Sequence, residues 1–106
     1  MTSGMQELKN SIFLAVEDGP TLRLDYYITK EIQGMYGVSV KKFVSTGSAF
    51  ELKEEESLSE ITFLHSEIVR ICATLVHYSV TPCTLGDVIQ DMDICKGEIE
   101  ISLAVK

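Results

Sequence analysis

Three side chains that could do chemistry follow a Thr-Pro junction in the second half of the chain, namely one thiol and two carboxylates. The thiol belongs to Cys83, which lies near the predicted start of a short helix. The positive end of a helix dipole favours a negatively charged group, so Cys83 is the candidate reactive thiol, as a nucleophile or as a redox sensor. Neither a histidine nor a lysine lies close to it in sequence, which favours an inert thiol over a catalytic one.

The carboxylates are those of Asp87 and Asp91, which are four residues apart and therefore share one face of the predicted helix. Such a pair is a candidate for a hard cation such as Mg²⁺ or Ca²⁺, but it lacks the oxygen-rich loop of an EF-hand. An interaction of Asp87 with the helix N-terminus explains the pattern better. The two histidines, His65 and His77, lie about 18 Å apart along one predicted helix and cannot share a metal. We therefore predict no catalytic residue, no metal and no cofactor.

A second kind of candidate is a binding surface on the strands that precede these helices. Arg23 and Tyr27 fall on the polar side of an alternating strand, and Phe43 is expected on the same side of the next strand. An exposed aromatic ring beside an arginine is typical of interaction surfaces rather than of catalytic pockets. Arg23, Tyr27 and Phe43 are therefore the predicted interaction surface.

The strands that carry this surface are predicted from the alternation of apolar and polar side chains. The first covers Ser11 to Glu17 and ends at the turn Asp18-Gly19-Pro20. The second covers Thr21 to Ile32. A Gln33-Gly34 turn then leads into a third strand that starts at Tyr36, because glycine supplies the positive φ that a tight hairpin loop requires. These runs predict an antiparallel meander.

Two further strands are indicated less directly. A fourth is expected over Ala49 to Lys53, with Phe50 and Leu52 pointing inward. The acidic stretch from Glu51 to Glu60 is interpreted as a solvated edge that protects a strand from unwanted pairing. Near the C-terminus, Glu98 to Val105 alternates again and predicts one more strand, which closes its own sheet or adds to the sheet of a neighbour.

Helices are predicted where the apolar spacing changes to three and four residues. The first begins at an N-cap on Thr62 and ends at Thr81-Pro82, since proline disfavours a helical residue before it. Thr84 is expected to cap a shorter helix, with Asp87 completing a capping box. The predicted fold is α+β, an antiparallel meander of four to five strands with one long and one short helix packed on one face. One domain accounts for residues 1–106, and the first ten residues are allowed to be disordered.

The composition excludes several classes of partner. The chain has 106 residues and a net charge of −7, whereas nucleic acids and anionic membranes are bound through clustered Lys and Arg. We therefore expect neither nucleic acid nor a membrane as a partner, and no apolar stretch is long enough for a spanning helix. The N-terminal residues show no secretion signal. Three cysteines, an odd number at spacings of 11 and 12 residues, match neither a disulfide framework nor a Cys-x-x-Cys motif and indicate reduced thiols in a cytoplasm.

Several short segments resemble a known family. They are Tyr36-Gly37-Val38, Glu60-Ile61-Thr62, Val80-Thr81-Pro82 and the run from Leu85 to Asp91. In these segments, and in the amphipathic helix among them, the chain is similar to a family of small uncharacterised proteins from clostridia and related Firmicutes, over about two thirds of its length. The resemblance implies a bacterial cytoplasmic setting. It transfers no catalytic residue, because the function of the family is unknown.

The leading hypothesis is a non-enzymatic protein-binding or regulatory module of a bacterial cytoplasm. It would bind a protein partner, or a second copy of itself, through a sheet edge or through the C-terminal strand. The first alternative is a small metal- or thiol-dependent enzyme built on the two carboxylates and the thiol named above. The second is a small-molecule sensor with its ligand between helix and sheet, lined by Met35, Met92 and the tyrosines.

Overall fold

The computed structural model describes residues 5–94, which form one antiparallel sheet followed by two helices. In chain order the elements are β1 (Met5–Ala15), β2 (Thr21–Lys30), β3 (Tyr36–Thr46), β4 (Ala49–Thr62), α1 (His65–His77) and α2 (Pro82–Asp91). Each strand pairs with the next along the chain, so the predicted α+β meander is confirmed. The predicted C-terminal strand, Glu98 to Val105, lies outside the described residues.

The two faces of the sheet differ in what covers them. Side chains alternate along a strand, and on one face the helices cover Leu24, Tyr26, Val38 and Val40, all of them fully buried. The helices complete this core with their own buried side chains, which include Ile68, Ile71, Leu75 and Leu85. We call this the helix face. The opposite face carries the intervening residues of β2 and β3 and is called the open face.

The connection between β2 and β3 is longer than predicted. A two-residue loop was expected, but β2 ends at Lys30 and residues 31–35 join it to β3. Within this loop the Gly34 N–H donates a hydrogen bond to the Glu31 carbonyl at 2.9 Å. Gly34 has a φ of 103°, so the glycine supplies the positive φ that the sequence indicated, within a wider turn.

Both edge strands are longer than predicted. β1 begins at Met5 rather than at Ser11, so it takes in part of the segment for which disorder was allowed. β4 was expected to end at Lys53 and instead continues through the acidic stretch to Thr62. Glutamates are weak strand formers on their own, but pairing along β3 overrides that preference.

A break in the β3–β4 register decides which way the start of β4 faces. The pairing shifts between Lys42 and Phe43, and Phe43 then lies opposite Leu52. One extra residue in a strand reverses the face of every side chain beyond it. Phe50 and Leu52 were predicted to point inward, but they are 36% and 45% exposed. The prediction was wrong because simple alternation gives no sign of a bulge.

The first helix begins later than predicted. Thr62, the expected N-cap, is the last residue of β4, and its Oγ1 accepts a hydrogen bond from the Leu64 N–H at 3.1 Å. Leu64 is the N-cap of α1. The threonine therefore shapes the turn between strand and helix instead of capping the helix itself.

The second helix begins earlier than predicted. Its N-cap is Thr81 and Pro82 lies in its first turn, where a fixed φ and a missing N–H are tolerated. The expected cap on Thr84 is therefore wrong. Asp87 lies beyond the first turn, which contains no acidic residue, so the expected capping box is not formed. α1 and α2 have 13 and 10 residues, and their lengths differ less than the expected long and short pair.

Candidate functional site

Four side chains on the open face form what we call the arginine–aromatic cluster, which consists of Phe13, Arg23, Phe43 and Phe50. Strand pairing places Phe13 and Phe43 on either side of Arg23. The guanidinium carbon of Arg23 lies 4.1 Å from the ring centroid of Phe43 and 5.2 Å from that of Phe50. The rings of Phe13 and Phe50 meet edge to face, with centroids 5.8 Å apart. Cation–π contacts thus hold the arginine and the rings together.

The cluster contains two residues that the sequence analysis placed there and two that it missed. Arg23 and Phe43, which are two residues of the predicted interaction surface, are in contact. Phe13 could have been found by counting the register outward from the turn at Asp18, because residues 13 and 23 are equally distant from it. Phe50 could not, because its face depends on the bulge in β4. Phe13 is 59% exposed, so the cluster offers apolar surface to solvent.

The position of the arginine is fixed by a carboxylate on the same strand. Asp25 is 5% exposed, and its two oxygens accept hydrogen bonds from Arg23 Nε at 3.1 Å and Nη2 at 3.3 Å. The Ser11 hydroxyl donates a third bond to Asp25 Oδ1 at 2.7 Å. Because the charges and donors satisfy one another, this arrangement holds the Arg23 side chain in place on the open face.

Tyr27, the third residue of the predicted interaction surface, also lies on the open face but farther along β2. Asp25 lies between it and Arg23 on that face. The Lys41 ammonium nitrogen is 4.9 Å from the centroid of the Tyr27 ring. The structure therefore brings Arg23 and Phe43 together and gives Tyr27 a separate cationic neighbour.

The two edges of the sheet differ in charge. β4 is one edge, and it carries five glutamates, which are Glu51, Glu54, Glu55, Glu56 and Glu60. β1 is the other edge, and its charged residues are Glu7 and Lys9, whose side chains are 3.6 Å apart and cancel. Charged side chains on an edge strand discourage pairing with another strand. Within residues 5–94 the edge at β4 therefore carries this protection, and the edge at β1 does not.

Cys83, the candidate reactive thiol, is exposed in the first turn of α2. Its sulfur lies 3.4 Å from the Thr81 hydroxyl. A cleft of 200 Å³ joins Cys83 to three glutamates of β4, which are Glu54, Glu55 and Glu56. A thiol is activated by a neighbouring Lys, Arg or His, and these neighbours are acids. The geometry therefore gives Cys83 accessibility and a place at a helix N-terminus, while the described residues that line this cleft include no Lys, Arg or His.

The weak metal candidates, Asp87 and Asp91, are both exposed on α2. Within residues 5–94 no three or more His, Cys, Asp or Glu side chains come close enough together to hold a metal ion. His65 instead packs its ring against Tyr36 with centroids 5.4 Å apart. His77 packs against Tyr78 at 4.6 Å. These contacts place the two histidines in aromatic pairs.

A groove of 370 Å³ lies between the β1 side of the sheet and α1, and we call it the β1–α1 groove. Its apolar walls are formed by Ile28 of β2 together with Val69, Cys72 and Val76 of α1. This lining differs from the set of Met35, Met92 and tyrosines expected for a ligand between helix and sheet. Met92 lines a different cleft, between β4 and α2.

The polar residues of this groove are Lys9, Asn10 and His77. Lys9 acts electrostatically on the thiol of Cys72 across the groove. Burial raises the pKa of Cys72, and the positive charge of Lys9 opposes that rise. The sequence analysis missed the groove because Lys9 and Asn10 lie where disorder was allowed.

Comparison with known proteins identifies a family and no function. A model of a family of unknown function, DUF6514, matches residues 5–94, in agreement with the resemblance seen in the sequence. No curated protein and no solved structure matches the chain. Among residues 5–94 no helix has the length and apolarity needed to cross a membrane.

Proposed function

This chain belongs to DUF6514, a family whose description names no activity, so we infer that its function must be argued from the geometry. We propose that it is a non-enzymatic protein-binding module of a bacterial cytoplasm and that the edge of β1 binds a second copy of the chain. The observation that carries this proposal is the contrast between an acidic edge on β4 and an edge on β1 that has no net charge.

The charge of the chain favours β1 as the contact between copies. With a net charge of −7, two copies repel each other wherever their acidic surfaces meet. From Asn10 to Ala15, β1 carries no charged side chain. Two copies can therefore approach along this half of β1 without bringing like charges together.

The backbone of β1 favours a symmetric contact. An antiparallel pairing of one strand with its own copy is isologous, so one two-fold axis satisfies both partners and closes the assembly. An axis near Ile12 brings the two Phe13 side chains close to each other. The two arginine–aromatic clusters then form one continuous apolar surface, since Phe13 is the member of the cluster that β1 supplies.

Two further observations support the non-enzymatic and cytoplasmic parts of the proposal. Arg23 and Asp25 pair with each other, so this part of the open face presents ring and guanidinium surfaces for contact. Cys72 and Cys83 are free thiols, which suits a reducing compartment.

The test is the molar mass in solution, measured by size-exclusion chromatography with light scattering over about a hundredfold range of concentration. We expect a monomer–dimer equilibrium that Phe13→Glu shifts to monomer, because the substitution places two glutamates near the axis. Leu52→Glu is the matched control, since Leu52 is a similarly exposed apolar residue on the opposite edge strand. It should leave the dimer intact. Circular dichroism checks that both variants fold.

Two results would overturn the proposal. One is a wild-type chain that stays monomeric throughout, and the other is equal dissociation by Phe13→Glu and Leu52→Glu. Truncation after Gly97 separates the β1 contact from the predicted C-terminal strand. A dimer that is lost on truncation but kept in Phe13→Glu would assign the contact to that strand instead.

A further inference from the structure

We propose that the β1–α1 groove binds a small organic acid with an apolar body. The carboxylate would lie against Lys9 and Asn10, and the hydrocarbon part would lie along the apolar walls. This site shares only Asn10 with the uncharged half of β1 that the proposed dimer uses. Ligand binding in the groove can therefore be tested separately from self-association.

A bulge in β1 builds the polar end of the groove. The β1–β2 register shifts between Leu8 and Asn10, with Lys9 as the extra residue. In an unbroken strand, neighbouring side chains point to opposite faces, and Lys9 and Asn10 would be separated. Both line the same groove, because a bulge redirects side chains in this way. The strand thus places an ammonium group and an amide side by side at one site.

The rest of the groove suits a hydrocarbon. Ile28 and Cys72 are 5% and 3% exposed, and they form the deep part of the wall. Val69 and Val76 extend the apolar surface along α1. The volume of 370 Å³ falls within the range of pockets that bind small molecules, and such pockets combine apolar walls with a few polar groups that fix orientation.

The charges around the groove favour an anion over a neutral ligand. Lys9 lies 3.6 Å from Glu7, with 35% of its own side chain and 67% of that of Glu7 exposed. An exposed pair of this kind is weak, so a ligand carboxylate can replace Glu7 as the partner of Lys9. Asn10 Oδ1 accepts the Ser11 N–H at 2.9 Å, which orients the amide and leaves its NH₂ group as a donor for an anion.

The first measurement is titration with straight-chain carboxylates from butanoate to octanoate, followed by NMR and by the shift in melting temperature. We expect saturable changes confined to β1, β2 and α1. Affinity should rise about fourfold for each added CH₂ until the groove is filled. Octanol, which has the same chain length without the charge, should bind about tenfold more weakly than octanoate because it forms no charge-assisted bond with Lys9.

Two lysine variants test the role of the charge. Lys9→Met should weaken octanoate binding about tenfold while leaving octanol unaffected. Lys53→Met is the matched control, since Lys53 is also an edge-strand lysine paired with a glutamate, at 3.3 Å from Glu51. It should change binding less than twofold. Ala73→Leu, which fills the exposed side of the groove, should weaken both ligands.

Three outcomes would overturn the proposal. They are changes spread over the whole surface without saturation, equal weakening by Lys9→Met and Lys53→Met, and octanol binding as tight as octanoate. Repeating the titration in Phe13→Glu separates the two proposals. Binding that persists there supports the groove whatever the oligomeric state, and binding that is lost with the dimer contradicts a site within one copy.

Discussion

The phenol of Tyr26 donates a 2.8 Å hydrogen bond to the main-chain carbonyl of Val80. Tyr26 is fully buried and Val80 is 5% exposed, so the bond ties the middle of β2 to the segment between α1 and α2. Tyr26→Phe keeps the ring and removes this donor from a buried carbonyl. We expect the free energy of unfolding to fall by about 1–3 kcal/mol. Urea denaturation followed by circular dichroism measures the change.

The control for this prediction is Tyr78→Phe, which removes the same hydroxyl from a side chain that is 69% exposed. Surface substitutions of this kind change stability by less than about 0.5 kcal/mol. Equal losses in the two variants would show that the bond to Val80 contributes nothing specific.

Gly37 is required by the close approach of β4. A Cβ atom at this position would lie 2.8 Å from Ser59 Cα and would clash with the Leu58 carbonyl oxygen, and both are backbone atoms that cannot turn aside. Gly37→Ala therefore has to separate β3 from β4. We expect a loss of about 1–3 kcal/mol in the free energy of unfolding, measured by urea denaturation.

Gly86 in α2 is the matched control, because no described atom lies within 4 Å of a Cβ placed there. Glycine inside a helix costs about 0.5–1 kcal/mol relative to alanine, so Gly86→Ala should stabilise the chain. A stabilising Gly37→Ala would contradict the clash. Tyr36-Gly37-Val38 and Leu85-Gly86-Asp87 both belong to the segments that resemble the family, and only the first glycine has a steric reason.

The parts of the fold that could be predicted are those with a regular period. The alternation of Leu24, Tyr26 and Ile28 and the helical spacing of Ile68, Ile71 and Leu75 place all of these residues in the core. The course of the edge strands could not be predicted, because within residues 5–94 they pair along one side only and carry little apolar pattern. The acidic residues of β4 form a strand through pairing with β3, which is a tertiary effect.

The two candidate sites depend on bulges, and this limits how well sequence reasoning finds them. The bulge in β1 brings Lys9 and Asn10 together in one groove. The break in register beside Phe43 moves Phe50 to the open face, where it contacts Arg23. A single extra residue reverses every side chain beyond it, and nothing in a period-two pattern marks where it falls. The shared face of Arg23 and Phe43 was predictable because they lie opposite each other on β2 and β3, whose pairing has no break in register.

The two described thiols should differ sharply in reactivity. Cys83 is exposed, whereas Cys72 lies on the buried side of α1 and is 3% exposed. In a Cys95→Ser background at neutral pH, a disulfide reagent such as Ellman's should modify the exposed Cys83 in a fast phase. Cys72 should react only when the chain opens or unfolds, because its sulfur is shielded from the reagent. Cys83→Ser should abolish the fast phase, and a fast phase that survives it would contradict the burial of Cys72.

The stability of the fold should decline in alkaline solution. Burial raises the pKa of the Cys72 thiol above its ordinary value of 9.0. It also raises the pKa of the Tyr26 phenol, to which the charge of an ionised Cys72 adds. The unfolded chain therefore loses these protons at lower pH than the folded chain does. The contribution of these two protonated groups to the free energy of unfolding is therefore complete below about pH 9, and it is lost as the pH rises above that value.

The test compares how steeply the free energy of unfolding falls between neutral pH and about pH 10.5 in three chains. Cys72→Ala should be less stable at every pH, because it leaves a small cavity, but its decline should be shallower than that of the wild type. Lys9→Met removes the positive charge that opposes the rise in the Cys72 pKa, so its decline should be steeper. Equal slopes in all three chains would mean that ionisation of Cys72 does not control the alkaline limit of the fold.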